Sequence, residues 1–199
     1  RLSIDHLAQF ERHRVPVVLY NRVTENDAVP SVSCDSAGGE RLLVNRLVEA
    51  GHRRFAIVAG PEDSYVSTQR VEGALARLAQ HGLGATVLPG RFDHESGAEG
   101  LRAALALPDR PDALICANDL MAIGAIDCAR HEFGLSIPDE LSIVGFDGVG
   151  PAAWPSYRLT TIRQPVRRMT EAAVTMLMER IEQPDLPPEA RSFSGALLE

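Results

Sequence analysis

Short apolar runs alternate with stretches of helical period along almost the whole of this chain, and that alternation leaves few folds open. The clearest unit runs from Asp112 to Ile126. Ala113 to Ala117 is apolar, Asn118 and Asp119 stand directly behind it, and Leu120, Ile123 and Ile126 then recur every three residues while Gly124 and Ala125 stay small. A buried strand, a polar pair at its carboxyl tip and a packed helix make one unit of a parallel α/β sheet. The same grammar repeats on both sides. Val15–Tyr20, Ser31–Cys34, Phe55–Ala59, Ala85–Leu88, Leu141–Phe146 and Leu159–Ile162 read as strands. Between them fall helices with the stripes Leu43, Leu47 and Ala50 (closed by Gly51), Val71, Ala74 and Leu78, and a third from Glu95 to Leu107. Pro165 opens a long helix whose apolar face is Met169, Ala172, Ala173, Met176, Leu177 and Ile181. Ile4, Leu7, Ala8 and Phe10 fit a short first helix, and Ser192–Glu199 a last strand. Such alternation predicts a parallel sheet with helices on both faces.

Charge and cysteine usage narrow the class further. A net charge of -7 over 199 residues argues against a nucleic-acid surface on this polypeptide, since phosphate contact needs clustered Lys and Arg. No run is long enough to span a bilayer, so no membrane partner is expected. Three cysteines, Cys34, Cys116 and Cys128, two of them in or beside apolar runs, read as reduced buried thiols of a cytoplasmic protein. The chain opens on Arg1 with neither an initiator Met nor a basic-then-apolar leader, which reads as a fragment of a longer protein.

In parallel sheets, ligands sit outside the carboxyl ends of the strands. Those ends carry Asn21-Arg22, Gly60-Pro61, Phe92, Asn118-Asp119 and Asp147-Gly148. Asp147 can accept from two adjacent hydroxyls, Asn118 can donate and accept at once, Arg22 or Arg70 offers a planar fork of donors, and Phe92 a flat apolar wall. Carboxylate, amide, guanidinium and one aromatic form a set that suits a polyhydroxyl ligand. Each has a plainer reading: Asn118 as a helix cap, Asp147 as a turn residue, Phe92 as core, Arg70 as a solvated helix residue. Catalytic motifs do not appear. No Gly-x-Gly-x-x-Gly follows a strand, no Gly-x-Ser-x-Gly elbow occurs, and the six histidines lack metal-ligand spacing, so no cofactor and no metal are expected. The residues read as a binder, not an enzyme.

Several longer stretches resemble the lac-repressor-type (LacI/GalR) regulators. They are Gly51-His52-Arg53-Arg54 running into Phe55–Pro61, Ser67-x-x-Arg70, Cys116–Ala125, Ile137–Gly148 and Leu159–Pro165. The resemblance runs in order from Val15 to about Leu198. It implies two doubly wound parallel-sheet subdomains of periplasmic-binding-protein-like fold, the first of them truncated, joined by three crossings near Ala50–Phe55, Asp147–Leu159 and Ile181–Arg191. Residues 1–50 with 158–183 would form the first, and 51–157 with 184–199 the second. The resemblance places the effector in the cleft between them and implies that Asn21, Arg22, Ser67, Arg70, Phe92, Asn118, Asp147 and Gln164 face it. Phe92 would stack on the ligand, while Asn118, Asp147 and Gln164 bind its polar groups. Implied partners are a sugar-like small-molecule effector, a second copy in a homodimer, and operator DNA through a helix-turn-helix headpiece absent from this chain. Two alternatives share parts of the pattern: a sugar-binding protein of a transport system, and an α/β enzyme using Asp147 as base.

Overall fold

Every residue of Phe55–Val58 and of Ala113–Cys116 is buried, which happens to a strand only when layers cover both faces of its sheet. These two strands lie at the centre of the larger of two compact units. The computed structural model describes residues 7, 9–10, 12–23 and 29–199. The first unit comprises residues 1–35 and 165–193; the second comprises 36–164 and 194–199.

The second unit is built from α1 (Ser36–Glu49), β3 (Phe55–Val58), α2 (Tyr65–Gln80), β4 (Ala85–Leu88), α3 (His94–Leu105), β5 (Ala113–Cys116), α4 (Asp119–Glu132), β6 (Ser142–Asp147), a 3-10 turn (Gly150–Ala153), β7 (Thr160–Arg163) and β9 (Ala196–Leu198). Its six strands run β4-β3-β5-β6-β7-β9, all parallel except β9, which lies antiparallel to β7. After β3 the chain steps outward to β4, then returns past β3 to β5. That reversal is a topological switch point, where the loops leaving neighbouring strands diverge and leave room for a ligand. The loops after β3, β4 and β5, carrying Gly60, Phe92 and Asn118, therefore emerge together.

Helices pair closely on this sheet. Gly73 of α2 meets the backbone of Ala37 in α1, while Gly97 of α3 and Gly124 of α4 allow their two helices to touch at backbone distance. Side-chain oxygens of Ser64, Asp93 and Asn118 accept from the N–H three residues on, capping α2, α3 and α4. Ala56, Val58, Leu114, Cys116, Leu101, Met121 and Ile126 are core residues of one cluster.

The first unit holds a three-stranded parallel sheet, β1 (Leu19–Tyr20), β2 (Ser31–Cys34) and β8 (Ala190–Phe193), in the order β1-β2-β8. α5 (Val166–Glu182) packs on β2 and buries Met169 and Met176.

Several expectations are corrected. Ser36–Glu49 and Thr160–Arg163, expected with the first unit, belong to the second: Gly39 sits against the rings and branches of Phe146 and Ile162, and β7 is a full member of the six-stranded sheet. The last strand is two strands, β8 paired with β2 and β9 paired with β7. Only Leu19–Tyr20 of the Val15–Tyr20 run forms a ladder. Leu120, Ala50 and Ile181 are exposed; on α4 the buried face runs through Met121, Ala122 and Ala125 instead. The first helix rests on Ile4 and Ala8, which lie outside the described residues. Among the described residues, no helix is long and apolar enough to cross a membrane. Cys34, Cys116 and Cys128 are all buried.

Candidate functional site

Six of the eight candidate residues fall in the second unit, and hydrogen bonds join them into two groups along its carboxyl edge. The first group centres on Arg70, which is buried despite its charge. One guanidinium nitrogen donates to the carbonyl of Ala117 at 2.5 Å and the other to Asp147 Oδ1 at 2.8 Å. The guanidinium carbon lies over the Phe146 ring, 3.9 Å from its centroid. Gln164 Nε2 also donates to Asp147 Oδ1, at 2.7 Å, and the Gln164 backbone N–H reaches the Asp147 carbonyl at 3.2 Å. Both side-chain bonds fall on Oδ1, so Asp147 Oδ2 carries no protein hydrogen bond among the described residues. Asp147 is thereby an oriented, partly exposed carboxylate, not a plain turn residue, and Arg70 is not a solvated helix residue.

The second group joins Asn118 and Phe92. Asn118 Oδ1 accepts from the Met121 N–H at 3.0 Å, capping α4, and Nδ2 donates to the Phe92 carbonyl at 3.1 Å. Capping and site-building are thus the same act: the cap fixes the amide, and the amide fixes the Phe92 loop. The ring of Phe92 lies over Gly60, where a Cβ would fall on it, so the glycine after β3 is the floor of the ring. Ser67 closes the same corner, its hydroxyl oxygen accepting from the Gly60 N–H at 2.8 Å.

Backbone conformation marks these positions as well. Phe92 (φ 65°) and Asp147 (φ 126°) occupy the left-handed half of φ space, which costs a non-glycine residue free energy and recurs where a side chain must be aimed. Asn21 in the first unit does the same (φ 49°). There its Oδ1 accepts from the Cys34 N–H at 3.2 Å and its own N–H donates to the Val32 carbonyl, tying the tips of β1 and β2 together. Arg22 follows it, exposed.

Two acids escaped the reading of the sequence. Asp119, taken as half of a polar tip, is fully buried: it accepts from Thr161 Oγ1 at 2.6 Å and the Val149 N–H at 2.8 Å, bracing the segment after β6. Burial raises its carboxyl above the usual range, against the lowering effect of those bonds. Glu40 of α1 is buried with neither oxygen hydrogen-bonded, and burial pushes it up to about 8, partly offset by the positive charge of Arg70. Its signal was legible: Glu40, Leu43 and Leu47 lie at i, i+3 and i+7, on one inward face. Among the described residues no cluster of His, Cys, Asp and Glu could hold a metal ion.

A family model described as a periplasmic binding protein-like domain matches residues 44–198. A probable HTH-type transcriptional repressor ExuR of Bacillus subtilis is 33% identical over 88% of this chain and 53% of its own length. The crystal structure of a LacI transcriptional regulator from a Rhodococcus species is 32% identical, with a TM-score of 0.92 over all of this chain and 73% of the other. The complex of a transcriptional regulator CelR with cellobiose matches with a TM-score of 0.91 at 29% identity, over 98% of this chain and 61% of that one. The chain spans about half the length of the curated relatives it matches.

Proposed function

The chain belongs to the LacI/GalR family of regulators, through its periplasmic binding protein-like domain, and on that premise we propose that it is the effector-sensing and dimerisation core of a transcriptional repressor. Its two compact units correspond to the two subdomains of such a core. The effector is a small polar molecule, a sugar or related polyol, and the second unit's share of the site is the edge carrying Arg70, Asp147, Gln164, Asn118 and Phe92. The observation that carries this reading is the carboxylate of Asp147, held on one oxygen by Arg70 and Gln164 and left with the other for a ligand hydroxyl. Asn118 and the Phe92 ring supply an amide and an apolar face nearby in the fold order, as a polyhydroxyl ligand with alternating O–H and C–H surfaces requires. The cellobiose bound to CelR, a relative by fold and sequence, supports the same ligand class.

In the first unit the candidate effector contacts are Asn21 and Arg22, at the tip of β1. The effector controls operator binding by favouring whichever conformation it binds more tightly, and it moves that equilibrium only by its differential affinity. A two-fold symmetric dimer presents two DNA-binding headpieces to a two-fold operator. The protein works in the cytoplasm and catalyses no reaction.

Thermal-shift screening of the full chain against sugars, polyols and nucleosides, followed by calorimetry on the best hit, tests the assignment. Asn118→Ala and Asp147→Ala are expected to weaken that hit at least tenfold each, about the worth of one or two charge-assisted hydrogen bonds. Unchanged affinity in both variants would remove this edge from the site.

A further inference from the structure

Arg70 and Glu40 are each incompletely satisfied, and each has what the other lacks. Arg70 Nε is buried without a hydrogen-bond partner, although both terminal nitrogens of the group are committed, to Ala117 and Asp147. Both Glu40 oxygens are buried and unpartnered, and the neighbouring glycine, Gly39, rests on the same Phe146 ring that Arg70 lies over. An acid so placed is costly, because burial withdraws water and no donor replaces it. Asp119 shows how this fold satisfies a buried acid when the role is only to brace, with one hydroxyl and one N–H donor at short range. Glu40 has no such cage, and the charge acting on it is that of Arg70.

We propose that Glu40 is a positioning residue for the candidate site: from inside the fold it is the second counter-charge of Arg70, so that the hold of Arg70 on Asp147 depends on whether Glu40 carries its proton. With Glu40 neutral, Arg70 has one anionic partner and keeps Asp147 Oδ1 at hydrogen-bond distance. With Glu40 ionised, two carboxylates compete for one guanidinium, and the free Nε is the donor that Glu40 recruits. The Arg70–Asp147 bond then weakens, and the carboxylate offered to a ligand loses its fixed orientation. The titratable neighbours of Glu40 are Arg70 on α2 and Cys116 at the end of β5; burial holds the Cys116 thiol well above its ordinary range, so it stays neutral while Glu40 titrates. This role rests on the effector site proposed above.

The decisive measurement needs no ligand. The Arg70 side-chain Nε–H resonance, assigned by its disappearance in Arg70→Lys, is followed from pH 6 to 9.5 in the full chain. It should move with a single midpoint in the wild type and stay flat in Glu40→Gln. In Asp147→Asn the midpoint should fall, because Arg70 is then released to stabilise ionised Glu40. A flat wild-type trace, an unchanged trace in Glu40→Gln, or an unmoved midpoint in Asp147→Asn overturns the proposal. A binding arm uses D-ribose and cellobiose as probes: a probe that binds should weaken on the order of tenfold as pH rises through that midpoint in the wild type and not in Glu40→Gln, tenfold being one pH unit of coupling. Equal pH dependence in the two proteins also overturns it. If neither probe binds at any pH, it is the effector reading that loses support, while the Arg70 titration still decides the role of Glu40.

Discussion

Replacing Glu40 by Gln should make this protein more stable, and by an amount that grows with pH. Burial raises the Glu40 carboxyl in the folded state from 4.5 to about 8. Between those values the folded chain keeps a proton that the unfolded chain has released, so the wild type loses stability as pH rises through this window. Below 4.5 both states are protonated and the acid has no effect; above about 8 both are ionised and the full cost of burying the charge is present. At about 1.36 kcal/mol per pH unit, the wild type forfeits under about 1 kcal/mol by pH 5, about 3 by pH 7 and about 5 above pH 8. Gln has nearly the volume of Glu and no proton to lose, so it reproduces the neutral form throughout. Urea unfolding of both proteins at pH 5, 6, 7 and 8, followed by circular dichroism, isolates this contribution. Every other ionisable group, the six histidines included, occurs in both proteins and cancels in the difference. The curves should nearly coincide at pH 5 and diverge by about 3 kcal/mol at pH 7. A difference that stays constant from pH 5 to 8 would refute the buried titrating acid, whatever its sign.

Three further outcomes follow from the geometry. Gly60→Ala drives a methyl into the Phe92 ring and should cost about 1–3 kcal/mol, read from the urea midpoint, and tilt the ring off the site; an unaltered near-ultraviolet spectrum and midpoint would count against the packing described. Asn118→Ala removes the cap on Met121 and the tie to Phe92 and should cost about 1–2 kcal/mol, whereas Asn118→Asp keeps the cap and should recover most of it; equal losses in both would contradict the capping role. Asp119→Ala leaves the Thr161 hydroxyl and the Val149 N–H without their acceptor and should cost about 2–5 kcal/mol in the same assay, against under 1 for a substitution at exposed Leu120.

The parallel sheet was legible because its signals are local: strands buried on both faces are continuously apolar, and each is followed by a polar tip and a helical stripe. Asn118 and Asp147 could be singled out on that basis alone. Unit membership could not. Ser36–Glu49 has an ordinary amphipathic pattern, and only three-dimensional packing of Gly39 and Gly73 decides which sheet it covers. The split of the C-terminal run into β8 and β9 was equally hidden, since strands of four and three residues with half-exposed patterns carry little periodicity. Leu120 shows the opposite failure: it obeys the three-residue repeat yet points outward, because Met121 and the small residues around it fill the buried side. Partnership was the least legible quantity. Nothing in the residue types says that both bonds to Asp147 fall on one oxygen, or that Glu40 is inside without a donor.

The left-handed backbone at Phe92 and Asp147 bears on how this chain tolerates change. A glycine at either position would relax the backbone and, by that alone, favour the folded state, while deleting the aromatic face or the carboxylate. That gain is outweighed by what each side chain holds: at Asp147 the counter-charge of buried Arg70, at Phe92 a ring packed on the core. In a library scored for stability and response, Phe92→Gly and Asp147→Gly should both be unresponsive and less stable than the wild type, so the strained backbone is kept in place by the contacts it makes.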